Sequence, residues 1–264
     1  MKIACFSVAA MDFFPQQNKY YAGGNSLNQA IRFRQMGHQS AFVGALGTDE
    51  AGDQLAALMQ TESVDVSHMH RINGNTACNK IINDDLGERY GIEGAWEGGV
   101  YEEFQLEEAD WEYISSFDIW STHANSPCYL SALERKTGSQ FMSVDFLHLK
   151  DYELLQKSLR IVDITYFGGT SDMSNDLAKI ARHNKGIIVL TLGAEGSIAF
   201  ERDRSYTQKA LTTDKVVDST GCGDAFQAAF TASYFKTKDI QASLLAGAEL
   251  GNETAMSFGG IPWK

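Results

Sequence analysis

The chain has 264 residues, 44% of them hydrophobic, and its 34 acidic and 22 basic side chains leave a net charge of −12. This composition excludes a wholly disordered chain, and the acidic balance disfavours nucleic acid or an anionic membrane as a main partner. Four dispersed cysteines without a C-x-x-C pair, and no run of 18 apolar residues, favour a cytoplasmic protein over a disulfide scaffold or a membrane protein.

Short apolar runs alternate with helical patterns along the chain. The predicted strands are Ile3–Val8, Ser40–Leu46, Ile119–His123, Gln140–Asp145, Ile161–Phe167 and Ile187–Leu192. The predicted helices are Asn25–Gln35, Ala51–Thr61, Glu107–Phe117, Tyr129–Lys136 and Met173–His183. Because several strands are nearly continuous apolar runs, we predict a three-layer α/β/α domain with a mostly parallel central sheet.

Two hairpins interrupt this alternation. Asn75–Asn83 and Tyr90–Trp96 flank a turn-rich segment, and Ser197–Glu201 and Ser205–Leu211 form a second pair. With only 3 prolines and no Pro/Ser-rich linker, residues 1–264 are predicted to form one domain. The first hairpin is predicted to be a small β lid.

The densest motif lies near the C-terminus, at residues 218–224, which read D-S-T-G-C-G-D. Gly221 and Gly223 precede a helical pattern, so their backbone amides and the start of the helix are suited to bind an anion. Asp224 lies at the rim of that site, where a carboxylate can accept a proton from a hydroxyl group. The alternative is a helix cap on a tight turn.

A second glycine pair, Gly23 and Gly24, also opens a helix. Asn25 and Asn28 follow on its first turn, and the Asn28 amide, which both donates and accepts, suits a sugar hydroxyl. The alternative is that Asn25 caps the helix and Asn28 is solvated.

A third motif, T-L-G-A-E-G at residues 191–196, ends a predicted strand and is placed at the ligand edge of an open sheet. Several rival classes are excluded, because the sequence has no Gly-Lys dipeptide of a P-loop, no H-E-x-x-H and no G-x-S-x-G. His68 and His70, with Asp65, are better explained by an exposed loop than by a metal site.

These three motifs, in this order, resemble the ribokinase/PfkB family of ATP-dependent sugar kinases over essentially the whole chain. The resemblance implies a ribokinase-like fold, ATP and Mg²⁺ as cofactors, and a sugar as the small-molecule substrate. It makes Asp224 the catalytic base and the backbone of Gly221, Cys222 and Gly223 the anion hole.

The same resemblance implies roles for the other motif residues. Sugar contacts fall on Asp12, Gly23, Gly24 and Asn28, and nucleotide contacts fall on Thr191, Gly193, Gly196 and Asn252. A monovalent cation such as K⁺ is expected at Asp218 and the Thr220 carbonyl. The family's N-x-x-E motif, which organises Mg²⁺, is replaced here by residues 168–172, so Asp172 is the candidate substitute for its Glu.

A finer resemblance is to the fructosamine-kinase subgroup, which includes fructoselysine 6-kinases. It rests on the compact 12–25 segment, on Glu97–Val100 followed by Phe104–Leu106, and on the F-G-G-I-P-W ending at 258–263. It implies a lid formed by about residues 12–22 and 75–97, through which family members sometimes dimerise.

We therefore expect a kinase that phosphorylates a primary hydroxyl of a sugar or a sugar–amine adduct. The alternatives within the family are a fructokinase, a ribokinase or a nucleoside kinase. A different class, a catalytically silent sugar-binding regulator on the same fold, is suggested by the missing Asn near Gly168.

Overall fold

The computed structural model describes residues 1–148, 151–213 and 215–261. The strands in these ranges are β1 Lys2–Cys5, β2 Ala10–Phe14, β3 Lys19–Gly23, β4 Gln39–Phe42, β5 Gly44–Gly47, β6 Met69–Ile72, β7 Ala77–Asn83, β8 Arg89–Gly91, β9 Ile119–His123, β10 Phe141–Asp145, β11 Ile164–Gly168, β12 Ile187–Thr191, β13 Ser197–Glu201 and β14 Arg204–Gln208. The α-helices there are α1 Asn25–Gln35, α2 Glu50–Thr61, α3 Glu108–Ser115, α4 Tyr129–Arg135, α5 Tyr152–Ser158, α6 Ser174–Ala181, α7 Cys222–Thr237 and α8 Ile240–Thr254.

Eight strands form the central sheet, in the order β14-β13-β12-β11-β10-β9-β1-β4. The six strands from β4 to β12 in that order run parallel, and β13 and β14 are antiparallel additions at one edge. The inner strands are buried on both faces, which explains their nearly continuous apolar sequences. The predicted mostly parallel sheet is confirmed.

Helices cover both faces of this sheet. Ile3 and Cys5 of β1 pack on the side of α1, α2 and α7, whereas Ala4 and Phe6 belong to the core on the side of α3 and α4. This division follows from strand geometry, since successive side chains point to opposite faces. The result is the predicted three-layer α/β/α arrangement, the ribokinase-like fold. Within the described ranges, no helix is both long and apolar enough to cross a bilayer.

A second sheet of four strands, here called the small sheet, has the order β3-β2-β7-β8. Asp12 of β2 pairs with Asn79 of β7, and Asn83 at the end of β7 pairs with Arg89 of β8. Paired residues, and residues two or four apart on a strand, share a face, so Asp12, Asn79, Asn83 and Arg89 lie on one face of the small sheet. That it acts as a lid, and that residues 1–264 form one domain, remain predictions.

The predicted strand Ser40–Leu46 is wrong in one respect, because the chain leaves the central sheet in its middle. Residues up to Phe42 belong to that sheet, whereas β5 pairs with β6 in a separate two-stranded sheet. The break lies between Phe42 and Gly44, and a Cβ on Gly44 would lie 2.8 Å from the Ser7 carbonyl oxygen. The apolar pattern of residues 40–46 is continuous, so it does not show that the backbone passes close to Ser7 at Gly44 and leaves the central sheet.

Other boundaries shift by a few residues. The second arm of the first hairpin ends at Gly91 rather than at Trp96, and β11 begins at Ile164 because Ile161 and Val162 still bond to the Ser158 carbonyl at the end of α5. Helix α1 has the predicted bounds, Asn25–Gln35.

Candidate active site

The candidate site lies where strands and helix starts converge. Asp145, Gly168 and Thr191 are the last residues of β10, β11 and β12, so they lie at the same edge of the parallel sheet. The first turn of α1 reaches this edge, because Asn25 Nδ2 donates to Asp145 Oδ2 at 3.3 Å. Ligand sites of open α/β sheets are found at this edge.

Asp224, on the first turn of α7, accepts two hydrogen bonds from α1. Asn25 Nδ2 donates to its Oδ1 at 2.8 Å, and Asn28 Nδ2 donates to its Oδ2 at 2.7 Å. Both amide groups thus turn their NH₂ toward a carboxylate, and both Oδ1 atoms are buried without a donor among the described residues. Two unused acceptors beside a carboxylate are suited to bind hydroxyl groups.

Three glycines make room for these polar groups. A Cβ on Gly23 would lie 2.1 Å from Asp12 Oδ2, and a Cβ on Gly260 would lie 2.6 Å from Asn28 Nδ2. Gly221 has φ +74, and its Cβ would lie 2.3 Å from the Cα of Gly260. The two predicted glycine motifs and the C-terminal loop are therefore packed against one another, and larger residues would displace the site.

The start of α7 has the backbone geometry that the predicted anion site needs, although anion binding there stays a prediction. Gly221 precedes the helix in the left-handed conformation, and the Cys222 N–H bonds to the Ser219 carbonyl at 3.2 Å. The first N–H groups of a helix have no intrahelical acceptor, which leaves those of Gly223 and Asp224 to a ligand. Open space surrounds Gly223, since a Cβ there would meet nothing within 4 Å.

The carboxyl groups of the site have raised pKa values. Burial raises the pKa of Asp224 to about 6, and the nearby Asp145 charge adds to the rise, while the hydrogen bond from Asn28 opposes it. Burial also raises the pKa of Asp12 to about 7 and that of Asp145 above its ordinary value. At neutral pH Asp224 is mostly ionised and weakly basic, as a proton acceptor must be.

Asp218, a predicted cation ligand, is fully buried and holds three segments together. Its Oδ1 accepts from the Thr220 N–H, from Thr220 Oγ1 and from Asn83 Nδ2 at 2.8 Å, and its Oδ2 accepts from the Gly259 N–H at 2.8 Å. The carboxylate thus links β7, the glycine loop and the C-terminal loop. A monovalent cation at Asp218 and Thr220 remains a prediction.

The predicted nucleotide contacts lie at the ends of strands and on α8. Thr191 ends β12, and Gly193 follows with φ +55 and open space around it. Gly196 has φ +106, and its Cβ would lie 2.1 Å from the carbonyl oxygen of Gln208 at the end of β14, so backbone conformation and packing require glycine there without any ligand. Asn252 lies on α8, the helix that packs along α7.

Asp172, the predicted magnesium ligand, lies on an exposed 3₁₀ turn, Ser171–Met173, just after β11. Its carboxylate accepts a hydrogen bond from Thr170 Oγ1. No group of three or more His, Cys, Asp or Glu side chains in the described ranges is arranged to hold a metal ion. A single carboxylate near bound phosphates is nevertheless a common arrangement for Mg²⁺, which keeps several waters.

Several residues of the site were not predicted. The sequence suggests only a helix-cap role for Asn25, but Gly24 occupies the cap position, and the Asn25 amide bonds to Asp224 instead. Asp145 could have been found, because it ends a predicted strand at the ligand edge. Arg89, whose charge lowers the pKa of Asp12 and of Asp224, had no sequence signal, since its position depends on how the small sheet docks.

The interpretation of His68 and His70 as parts of an exposed loop is also wrong. His70 lies on β6, both rings are half-buried, and both bond to the Asp110 carboxylate, at 2.8 Å from His68 Nδ1 and 2.9 Å from His70 Nε2. Asp65 instead accepts from the Tyr113 hydroxyl. This cluster joins β6 to α3.

An anion site made of backbone amides beside a poised carboxylate is what a phosphotransferase requires, and the comparisons with known proteins agree. The chain matches pfkB family carbohydrate kinase over residues 14–164 and 166–263, and it belongs to that family. It is therefore a sugar kinase that binds small-molecule sugars, and kinases of the family use ATP with a divalent metal ion.

Two curated relatives cover nearly the whole chain. Fructosamine kinase FrlD of Bacillus subtilis (strain 168) is 29% identical over 276 residues, covering 100% of this chain and 95% of that protein. Fructoselysine 6-kinase of Escherichia coli (strain K12) is 26% identical over 257 residues, covering 94% and 95%. The crystal structure of adenosine kinase from Sinorhizobium meliloti matches the fold with a TM-score of 0.84 at 18% identity, covering 100% of this chain and 96% of that one.

Proposed function

We propose that the protein transfers the γ-phosphate of ATP, with Mg²⁺, to a primary hydroxyl of a sugar–amine adduct of the fructoselysine type. The observation that carries the proposal is the Asp224 carboxylate, held by Asn25 and Asn28 on the first turn of the helix whose amides form the anion site. The adduct as substrate class is supported by the names of the two curated relatives and by their near-complete coverage of the chain.

The proposed step uses the residues as follows. The acceptor hydroxyl gives its proton to Asp224, and its oxygen forms a bond to the γ-phosphorus while the bond from that phosphorus to the β-phosphate oxygen breaks, releasing ADP. The amides of Gly223 and Asp224 stabilise the charge on the transferring group. The predicted anion hole also includes the backbone of Gly221 and Cys222, but in this structure the Cys222 N–H is bonded to the Ser219 carbonyl.

The sugar would be held by Asp12 and the side-chain amide oxygen of Asn28, with Gly23 and Gly24 giving the space. The nucleotide would lie along Thr191, Gly193, Gly196 and Asn252. Mg²⁺ would be held by phosphate oxygens with Asp172, and it supplies charge neutralisation. We place the reaction in the cytoplasm, which supplies ATP and keeps thiols reduced, in keeping with four free cysteines.

A homodimer through the small sheet is part of this proposal. Tyr20, Ile82 and Tyr90 are 58%, 37% and 52% exposed, and they lie on or beside the strands of the small sheet. Light scattering of the purified chain would test it, with Tyr90→Lys expected to shift a dimer toward monomer.

The substrate is tested by ADP release with ATP and a panel of fructoselysine, fructose, ribose and a nucleoside. We expect the highest kcat/KM with fructoselysine. A higher value with fructose, ribose or the nucleoside would make the protein a fructokinase, ribokinase or nucleoside kinase. No turnover of any acceptor, together with tight sugar binding by calorimetry, would instead indicate a silent sugar-binding regulator.

A further inference from the structure

The β7–β8 hairpin of the small sheet is docked on the loop that leads into the anion site. The Ser219 N–H donates to the Gly87 carbonyl at 2.9 Å, and the Arg89 N–H donates to Ser219 Oγ at 3.0 Å. Asn83 adds the bond to Asp218 described above. The hairpin thus bonds to Ser219 through both its backbone and its hydroxyl group. The carbonyl of the same residue accepts a hydrogen bond from the Cys222 N–H, the first of α7.

This docking sets the direction of the Arg89 side chain. Arg89 pairs directly with Asn83 across the hairpin, so both lie on the same face of the small sheet, the face that also carries Asp12. Asn83 reaches Asp218 from that face. Arg89 therefore lies on the face of the small sheet that carries Asp12 and contacts Asp218 through Asn83, and its side chain is exposed there.

The site is rich in carboxyl groups, so a cationic side chain at position 89 affects its electrostatics. Four carboxyl groups, those of Asp12, Asp145, Asp218 and Asp224, surround the acceptor end, and they oppose the approach of a phosphoryl group. The Arg89 charge lowers the pKa values of Asp12, Asp145 and Asp224, although burial raises them by more. It also lowers the pKa of Cys222 at the start of α7, again against the larger effect of burial. Yet Arg89 makes no ion pair with any described residue.

We propose that Arg89 binds the transferring phosphoryl group, completing the anion site from the small sheet. The backbone amides at the start of α7 bind the group on one side. The Arg89 guanidinium supplies positive charge on the other side, which offsets the negative charge of the four carboxyl groups. A guanidinium suits this task because it stays protonated and can bind two phosphate oxygens at once. The inference rests on the phosphotransfer proposed above.

The test compares Arg89→Gln and Arg89→Lys with Lys80→Gln. Lys80 is the matched control because it is a basic residue on the neighbouring strand β7. It lies three residues before Asn83 and therefore on the opposite face of the small sheet. Its ammonium group pairs with Glu97. Turnover is measured with fructose and with fructoselysine, which carries a carboxylate. We expect kcat of Arg89→Gln to fall roughly 10²-fold with both acceptors, partial activity in Arg89→Lys, and Lys80→Gln within about twofold of wild type.

A binding readout makes the test independent of turnover. ADP with aluminium fluoride, a mimic of the transferring group, should bind Arg89→Gln much more weakly than wild type, while ADP alone binds both equally. Melting temperatures close to wild type exclude unfolding as the cause, and if Arg89→Gln does not fold, Arg89→Lys carries the comparison.

Two results would overturn the proposal. One is unchanged turnover and unchanged analogue binding in Arg89→Gln, and the other is a loss confined to fructoselysine, which would assign Arg89 to the acceptor carboxylate. A wild-type protein that phosphorylates no acceptor would contradict the proposed function, and the aluminium fluoride arm would still decide the position of Arg89.

Discussion

The candidate site has a proposed acceptor end and a proposed nucleotide end, and these two ends are built differently. At the acceptor end, Asp224 and Asn25 are joined by side-chain hydrogen bonds that bring together α1, β10 and α7. At the nucleotide end, Gly193 has open space around it and Asp172 lies on an exposed turn. The acceptor end depends on particular side chains, whereas the nucleotide end depends mainly on the path of the backbone.

This difference predicts how each end responds to mutation. A buried polar network is sensitive to every member, because removing one partner leaves another unsatisfied. A site made of backbone turns tolerates changes of exposed side chains, since the amides that bind the ligand remain. Five predictions test this contrast, and they run from the largest expected effect, at the acceptor end, to the smallest, at the nucleotide end.

Asp224→Asn should have the largest effect. The variant cannot accept the hydroxyl proton, so kcat is expected to fall by roughly 10²- to 10⁴-fold, while the dissociation constants for sugar and ATP change little. Single-turnover kinetics and calorimetry measure the two quantities. Asp203→Asn, on the exposed turn between β13 and β14, is the control. Near-normal phosphoryl transfer by Asp224→Asn would show that Asp224 is not the base.

Asn25→Ala should affect both catalysis and stability. It removes a donor shared by Asp224 and Asp145, so kcat is expected to fall roughly 10- to 100-fold and the free energy of unfolding to drop by about 1–3 kcal/mol. Urea denaturation and steady-state kinetics on the same preparation measure both. A loss of stability with unchanged kcat would mean that Asn25 only packs α1 against α7.

The pH dependence of kcat/KM should report the raised pKa of Asp224. Only the ionised carboxylate accepts a proton, so activity is expected to fall as the pH drops below about 6, the pKa to which burial raises this group. An ordinary aspartate would keep activity down to about pH 4. In Asn28→Ala the limb should move to higher pH, because the bond from Asn28 lowers this pKa. A limb near pH 4 in the wild type would contradict the assignment.

Asp12→Asn should stabilise the fold while weakening sugar binding. Because the folded pKa of Asp12 is raised to about 7, its contribution to stability is full below its unfolded pKa and is lost as the pH rises through about 7. At about pH 8 the buried charge destabilises the fold, and the amide is expected to recover on the order of 1–3 kcal/mol. Urea denaturation at about pH 8 and about pH 5 measures this. Equal effects at both values would show that ionisation is not the cause.

The same contrast explains what the sequence could predict. The layers and the glycine loops were predictable, because apolar periodicity and glycine spacing are local properties. The bonds from Asn25 to Asp224 and Asp145 were not, because they join positions 25, 145 and 224, and nothing local to any of them names its partners. The position of Arg89 was missed for the same reason, since it depends on contacts between Ser219 and a distant hairpin.

Asp172→Asn should have the smallest effect, and it tests the other half of the contrast. Mg²⁺ takes most of its ligands from phosphates and water, and Asp172 offers one exposed carboxylate. We expect the Mg²⁺ concentration for half-maximal activity to rise by less than about tenfold, with kcat at saturating Mg²⁺ within roughly threefold and the melting temperature unchanged. A Mg²⁺ titration at fixed ATP measures this, with Asp176→Asn on α6 as the control. If Asp172→Asn abolished activity at every Mg²⁺ concentration, the nucleotide end would depend on a single side chain as strictly as the acceptor end does.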